Sequence, residues 1–361
     1  MRVKFDRKKL MSMLSSVHPV VPERSSIPVY SNVLVEVKAG RVYITGQDME
    51  MAVTAIGDAK IEEDGETTIP GRRFYDIVRE LPEGEVKLES GETSVSIKSG
   101  RGNYKLQSIP RDEYPAIISV KEGAKFVLDS ELLGRIIDLT AFAVSKETYS
   151  PAPQGVLLDV KSDHLRMVAT DGHRLAFMEK KGEFNLEQSA IVSEKTAKFA
   201  SRLTGDVEIR VEEQAIGFYT EKTVLAARLV EGEFPDYEGV IPQDNDKQVI
   251  VNKTEFVGAL KRANVISDPL TRMVRLRISP GKVSVRAVSE VGESNEELEC
   301  KYDGDEFDVG YNIIYLSEVL SRIETENVKM MLKDGVHAGI FLPEKQAEGE
   351  EVIYLLMPVV L

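Results

Sequence analysis

The stretch Val168-Ala169-Thr170-Asp171-Gly172-His173-Arg174-Leu175-Ala176 sets an acid, a glycine, an imidazole and a guanidinium in four consecutive positions. The whole 361-residue chain holds only four histidines. Such groups can serve acid–base chemistry, assist a nucleophile or bind a metal. In a strand Asp171 and His173 share a face, and in a turn they could bracket a ligand. A hydrolytic triad also needs Ser or Cys beside the imidazole and an acid to orient it. No Gly-x-Ser-x-Gly occurs, and the single cysteine, Cys300, has no recognisable nucleophile setting. A metal site needs further ligands, yet the nearest other histidine, His164, belongs to the opposite end of the hairpin. His-Glu-x-x-His, an EF-hand loop and a phosphate-cradling glycine loop are all missing from the sequence. A hydrolase or metalloenzyme centred on Asp171 and His173 therefore rests on local density alone, and no cofactor is implied.

The elements that must position this stretch recur three times. Val3-Lys4-Phe5-Asp6, Val127-Leu128-Asp129 and Ile250-Val251-Asn252 are short strands that each run into an amphipathic helix. Asp6, Asp129 and Asn252 are spaced by 123 residues, and each can accept from the free backbone amides of the following first turn. A second helix follows Ile69-Pro70-Gly71, Ile191-Val192-Ser193 and Val309-Gly310-Tyr311-Asn312. The strands after these helices contain Val86, Val207 and Val328, spaced by 121 residues. Between the helices lie hairpins of period two: Val33–Val37 with Arg41–Thr45, Val156–Val160 with Leu165–Ala169, and Val274–Ile278 with Val283–Ala287. The expected fold is α+β, with three repeated domains of antiparallel sheet and two helices each, at 1–121, 122–245 and 246–361.

Composition agrees with a folded, multidomain protein. Hydrophobic residues make up 42% and charged residues 29%, with no low-complexity tract. The charged N-terminal stretch Met1–Lys9 and the lack of a long apolar run predict no signal peptide or membrane span, and so a cytoplasmic protein. The net charge of −14 argues against a nucleic-acid binder at first. The six helices, however, carry 14 basic against 9 acidic residues, about +5, leaving about −19 on the rest. A basic face on an acidic body can hold a polyanion by its phosphates without reading bases.

The threefold repeat, Thr170-Asp171-Gly172-His173-Arg174-Leu175-Ala176, Phe234-Pro235-Asp236-Tyr237 and the terminal Tyr354-Leu355-Leu356-Met357-Pro358-Val359-Val360-Leu361 together resemble the bacterial sliding-clamp family, the β subunits of the replicative DNA polymerase III. The likeness spans the chain. It implies a head-to-tail homodimeric ring around duplex DNA, with helices inside and sheets outside, that gives processivity rather than catalysis. On that resemblance, Arg24 in Glu23-Arg24-Ser25 matches a DNA-contacting arginine, and Arg72, Arg73, Lys195, Lys198, Arg202, Lys261 and Arg262 are further phosphate contacts. Arg73, Ile77, Arg101, Tyr104 and Leu106 of the first repeat would face Val265, Ile266 and the acidic run Glu290, Glu293, Glu296, Glu297 and Glu299 of a partner's third repeat.

The resemblance also implies a cleft for short linear motifs of polymerases, the clamp loader and repair proteins. Thr170, Gly172, His173, Arg174, Leu175, Pro235, Val240, Val336, Met357, Pro358, Val359, Val360 and Leu361 would line it, with His173 and Arg174 at its rim. Three positions depart from related clamps: Glu147 stands for a neutral glutamine, Val360 for a basic residue, and Gly239 lacks a rim side chain. These weaken a contact to DNA from the Glu147 loop and the preference for acidic motif residues.

Overall fold

The computed structural model describes residues 1–147 and 154–360. Six α-helices occur among them: α1 Arg7–Val17, α2 Gly71–Glu80, α3 Ser130–Thr140, α4 Glu194–Ala200, α5 Lys253–Ile266 and α6 Ile313–Arg322. They come two to each repeat. Asp6 Oδ1 accepts from the amides of Lys8 and Lys9 at 3.0 and 3.2 Å. Asp129 accepts from Glu131 and Leu132, and Asn252 from Glu255. The residues 123 apart thus cap α1, α3 and α5 by one mechanism. The second helix of the third repeat starts likewise, with Asn312 Oδ1 accepting from Ile314 and Tyr315. α1 buries Leu10, Met13, Leu14 and Val17, and α5 buries Phe256, Ala259, Leu260 and Ala263. Both sets follow the i, i+3, i+4, i+7 stripe that seats a helix on a sheet. α4 is shorter than the sequence suggests and α5 longer by a turn.

The three expected hairpins form, with Val35 opposite Ile44, Leu158 opposite Met167 and Leu276 opposite Val285. The sheets, however, are not confined to single repeats. Strand Thr223–Arg228 of the second repeat pairs with Met51–Gly57 of the first, Leu225 opposite Val53. Strand Arg174–Lys181 of the second pairs with Glu350–Leu356 of the third, Arg174 opposite Leu356. An edge strand carries unpaired amides and carbonyls, and joining the next repeat satisfies them. The result is one sheet of five strands, one of eight and one of twelve.

The chain accordingly divides into two compact units, each holding whole sheets. The first is Met1–Leu133 with Phe199–Leu229, and the second Gly134–Lys198 with Val230–Leu361. The first unit contains the five- and eight-stranded sheets, with a core that includes Phe5, Leu34, Ile44, Ile69 and Phe74. The second contains the twelve-stranded sheet, packed around Phe256, Tyr311, Phe341 and Tyr354. No helix among the described residues is long and apolar enough to cross a membrane.

Candidate functional site

The turn between strands His164–Thr170 and Arg174–Lys181 is built by its own side chains. Asp171 Oδ1 accepts from the amides of His173 and Arg174, both at 3.0 Å. The Thr170 hydroxyl donates to the Arg174 carbonyl at 2.7 Å and accepts from the Gly172 amide at 3.1 Å. Gly172 has φ of +87°, which a Cβ would strain. The acid that looked catalytic is thereby committed to folding the turn, and its second oxygen accepts from Arg174 Nε at 3.0 Å.

Arg174 does not stand at a rim, as the sequence suggests; it is 5% exposed. Its Nη1 donates to Glu318 and its Nη2 to the Phe142 carbonyl at 3.0 Å. The guanidinium carbon lies 4.4 Å from the Tyr315 ring centre and 5.2 Å from that of Phe142. Two carboxylates, a carbonyl and two aromatic faces are what a buried guanidinium needs, because an unpaired buried charge costs several kcal/mol, roughly 3–5. The exposed His173 ring stacks on Tyr315, with ring centres 6.3 Å apart and planes at 22°. Phe142, Tyr315 and Glu318 escaped sequence reasoning. Their one local signal is that Tyr315 and Glu318 lie three apart, on one face of a helix otherwise rich in Ile, Leu and Val.

Acid–base or nucleophilic chemistry finds no support in this geometry. Cys300 is half-buried, and burial pushes its thiol up, away from the reactive thiolate. Among the described residues, no group of three or more His, Cys, Asp or Glu gathers in a way that could hold a metal.

Sheet register collects the apolar residues instead. Arg174 lies opposite Leu356, and Leu356 opposite Gly339. The turn 170–174, the turn 334–337 containing Val336, and the start of the 357–360 segment therefore stand at one end of the sheet. Met357 N donates to the His173 carbonyl at 2.9 Å, and Val359 N to the Gly310 carbonyl at 2.8 Å. Beneath them Leu175 packs with Leu157, Phe177, Ala338 and Leu355, and Phe234, Tyr237 and Ile241 cover this cluster. Pro235 and Val240 are exposed on the same segment, next in sequence to Phe234 and Ile241. Val240, Val336, Met357 and Val360 are 46 to 86% exposed, while Pro358 and Val359 are half-buried. Leu361 lies outside the described residues.

The candidate phosphate contacts are spread over several elements. Arg24, Arg73, Lys195, Arg202 and Lys261 are exposed. Arg72 is paired with Glu23, and Lys198 with Glu194 at 2.5 Å. Arg262 donates to both oxygens of Glu296 at 2.8 and 2.7 Å, so a residue assigned to DNA and one assigned to a subunit interface meet in one ion pair. Glu147 is exposed on the loop that precedes residue 148.

The candidate interface residues lie on or next to two open sheet edges and on the helices α2 and α5. Gly102–Gln107, carrying Tyr104 and Leu106, ends the five-stranded sheet, with Arg101 just before it. Ile77 is half-buried on α2. Strand Gly292–Lys301 pairs along its length with Lys282–Ser289, but on its other side only Cys300 and Lys301 have partners. Its segment with Glu293, Glu296, Glu297 and Glu299 is therefore open on that side, and Glu290 sits in the turn before it. Val265 is 80% exposed at the end of α5, beside half-buried Ile266.

Comparison with known proteins decides what this arrangement belongs to. Family models described as the N-terminal, central and C-terminal domains of the DNA polymerase III beta subunit match residues 1–118, 127–236 and 238–360. The chain belongs to the DNA polymerase III beta subunit family. The beta sliding clamps of Pseudomonas aeruginosa and Escherichia coli K12 are each 31% identical to it, over 99% of either chain. Among solved structures, a Pseudomonas aeruginosa DNA polymerase sliding clamp with ligand matches at a TM-score of 0.95 and 30% identity, and a Bartonella birtlesii clamp bound to griselimycin at 0.95 and 32%. Both comparisons cover 100% of each chain. Members of this family are non-catalytic processivity factors, so the chain is not an enzyme, and the hydrolase or metalloenzyme reading of Asp171 and His173 falls.

Proposed function

We infer that the chain is a DNA sliding clamp: two copies close head to tail around duplex DNA and tether the replicative polymerase. The observation that carries this reading is the pair of open antiparallel edges of opposite charge. Gly102–Gln107 offers Lys105, with Arg101 beside it, whereas Gly292–Glu299 carries four glutamates, of which Glu293, Glu296 and Glu297 are also paired with Arg286, Arg262 and Lys282. Each edge has free backbone groups that the other can satisfy, and the two patches differ, so the contact is heterologous, and on this reading two copies close the ring. Arg73 and Ile77 join the first patch, and Val265, Ile266 and Glu290 the second. The repeats 1–121, 122–245 and 246–361 are the sequence domains of each copy.

A closed ring retains DNA by topology, so its phosphate contacts can stay weak and mobile. Arg24, Arg72, Arg73, Lys195, Lys198, Arg202, Lys261 and Arg262 supply them, diluted by acids such as Glu23 and Glu296 that already hold two of these arginines. The cleft at Thr170, Gly172 to Leu175, Pro235, Val240, Val336 and Met357 to Leu361 receives short linear motifs of the polymerase, the clamp loader and repair proteins. The site of action is the cytoplasm, where bacterial DNA is replicated. Native mass measurement of the purified protein tests the assembly. A species of twice the chain mass is expected at micromolar concentration, and a monomer under those conditions would contradict encirclement.

A further inference from the structure

The segments that meet at the cleft carry an uneven charge. Residues 170–174, 234–241, 333–339 and 357–360 hold four carboxylates, Asp171, Asp236, Glu238 and Asp334, against two permanent cations, Arg174 and Lys333. Both cations are engaged. Arg174 is held by Asp171 and Glu318, and Lys333 by Asp244 at 2.5 Å. Arg166, which reaches Glu238 from the adjoining strand at 2.5 Å, is also bound to Glu179 at 2.7 Å. The His337 ring faces Asp334 at 2.8 Å, and His173 lies on Tyr315.

Two of the acids are nonetheless open to an incoming group. Asp236 is exposed beside Pro235, its Oδ1 accepting from the Gly239 amide at 3.1 Å. Gly239 makes room for this, since a Cβ there would stand 2.9 Å from Asp236 Oδ2. Asp334 keeps 42% of its side chain exposed while accepting from the amides of Val336 and His337. The Val336 amide, with a smaller pull from His337 and against the effect of burial, holds its carboxyl down at about 2, so it is ionised throughout the physiological range. The exposed apolar side chains of Val240 and Val336 are each close in sequence to one of these acids.

We propose that the cleft, on the peptide-binding reading above, selects a short apolar peptide flanked by Lys or Arg and discriminates against the same peptide flanked by Asp or Glu. A basic flank gains attraction from the exposed Asp236 and from Asp334, whose carboxylate it would share with the His337 ring. An acidic flank meets two like charges and finds each nearby guanidinium and ammonium already occupied.

The test uses the full chain and three fluorescent peptides that share one Leu-Phe anchor and differ in a single flanking residue, Lys, Gln or Asp. The expected affinity order is Lys, Gln, Asp, with a gap on the order of fivefold between the ends at low salt, shrinking at ~0.5 M salt as surface charges are screened. Asp334→Asn, which keeps the Oδ1 acceptor for the turn, should narrow that gap and leave the Gln peptide unchanged. Equal or tighter binding of the Asp peptide overturns the charge selection while leaving the cleft intact. Binding of none of the three overturns the cleft reading, and the selection with it.

Discussion

Deleting Met357–Leu361 abolishes binding of apolar motif peptides, with an expected loss of at least about 100-fold, near 3 kcal/mol. Met357 and Val360 are 46 and 86% exposed, so they add little to the core of the free protein. A peptide that covers them gains most of its affinity from that exposed apolar area. The deletion ends at Leu356, the last residue of strand Glu350–Leu356, and leaves that strand's pairs with Arg174–Lys181 and Gly339–Pro343 in place. Among the described residues, the backbone bonds lost at the cleft are those from Met357 to His173 and from Val359 to Gly310. The open edges that carry the proposed subunit contact are elsewhere, so the dimer survives. Fluorescence anisotropy with a labelled peptide reads the loss and native mass reads the survival; unchanged peptide affinity would remove the cleft assignment.

Val265→Asp separates the dimer into folded monomers. Val265 is 80% exposed in the single chain, so a carboxylate there stays in water and thermal unfolding of the monomer moves little. In a closed contact the same carboxylate is desolvated beside Ile266, on a helix whose Arg262 already holds Glu296 of the edge strand, and each copy of the interface loses several kcal/mol, about 2–4. The ring has two such interfaces, and dissociation should occur at protein concentrations at least about 100-fold higher than for the unsubstituted chain. Sedimentation across a dilution series measures this. A dimer that persists at the same concentrations would place the subunit contact elsewhere.

Much of this architecture is legible in the sequence because it depends on local rules. Asp6, Asp129 and Asn252 announce three helix starts, since capping needs only a short acceptor and three following amides. Period-two runs announce the hairpins for the same reason. The fusion of sheets is not legible locally: nothing in Thr223–Arg228 says that its partner is Met51–Gly57, more than 160 positions away. Arg174 shows the same limit within the site. Its position is clear from the sequence, but its burial depends on Phe142 of its own repeat and on Tyr315 and Glu318 of the third, and Glu318 is 144 positions away. The density of chemistry at Asp171–Arg174 comes from the needs of a turn and a buried guanidinium.

Retention on DNA of defined topology tests encirclement most directly. Protein assembled on a nicked circular duplex should remain bound through a high-salt wash, because weak phosphate contacts can be screened while a closed ring cannot be. Cutting the circle once should release it within the time needed to slide to an end. Equal retention on circular and linear duplex would contradict the ring, and would mean that direct contacts rather than topology hold the protein on DNA.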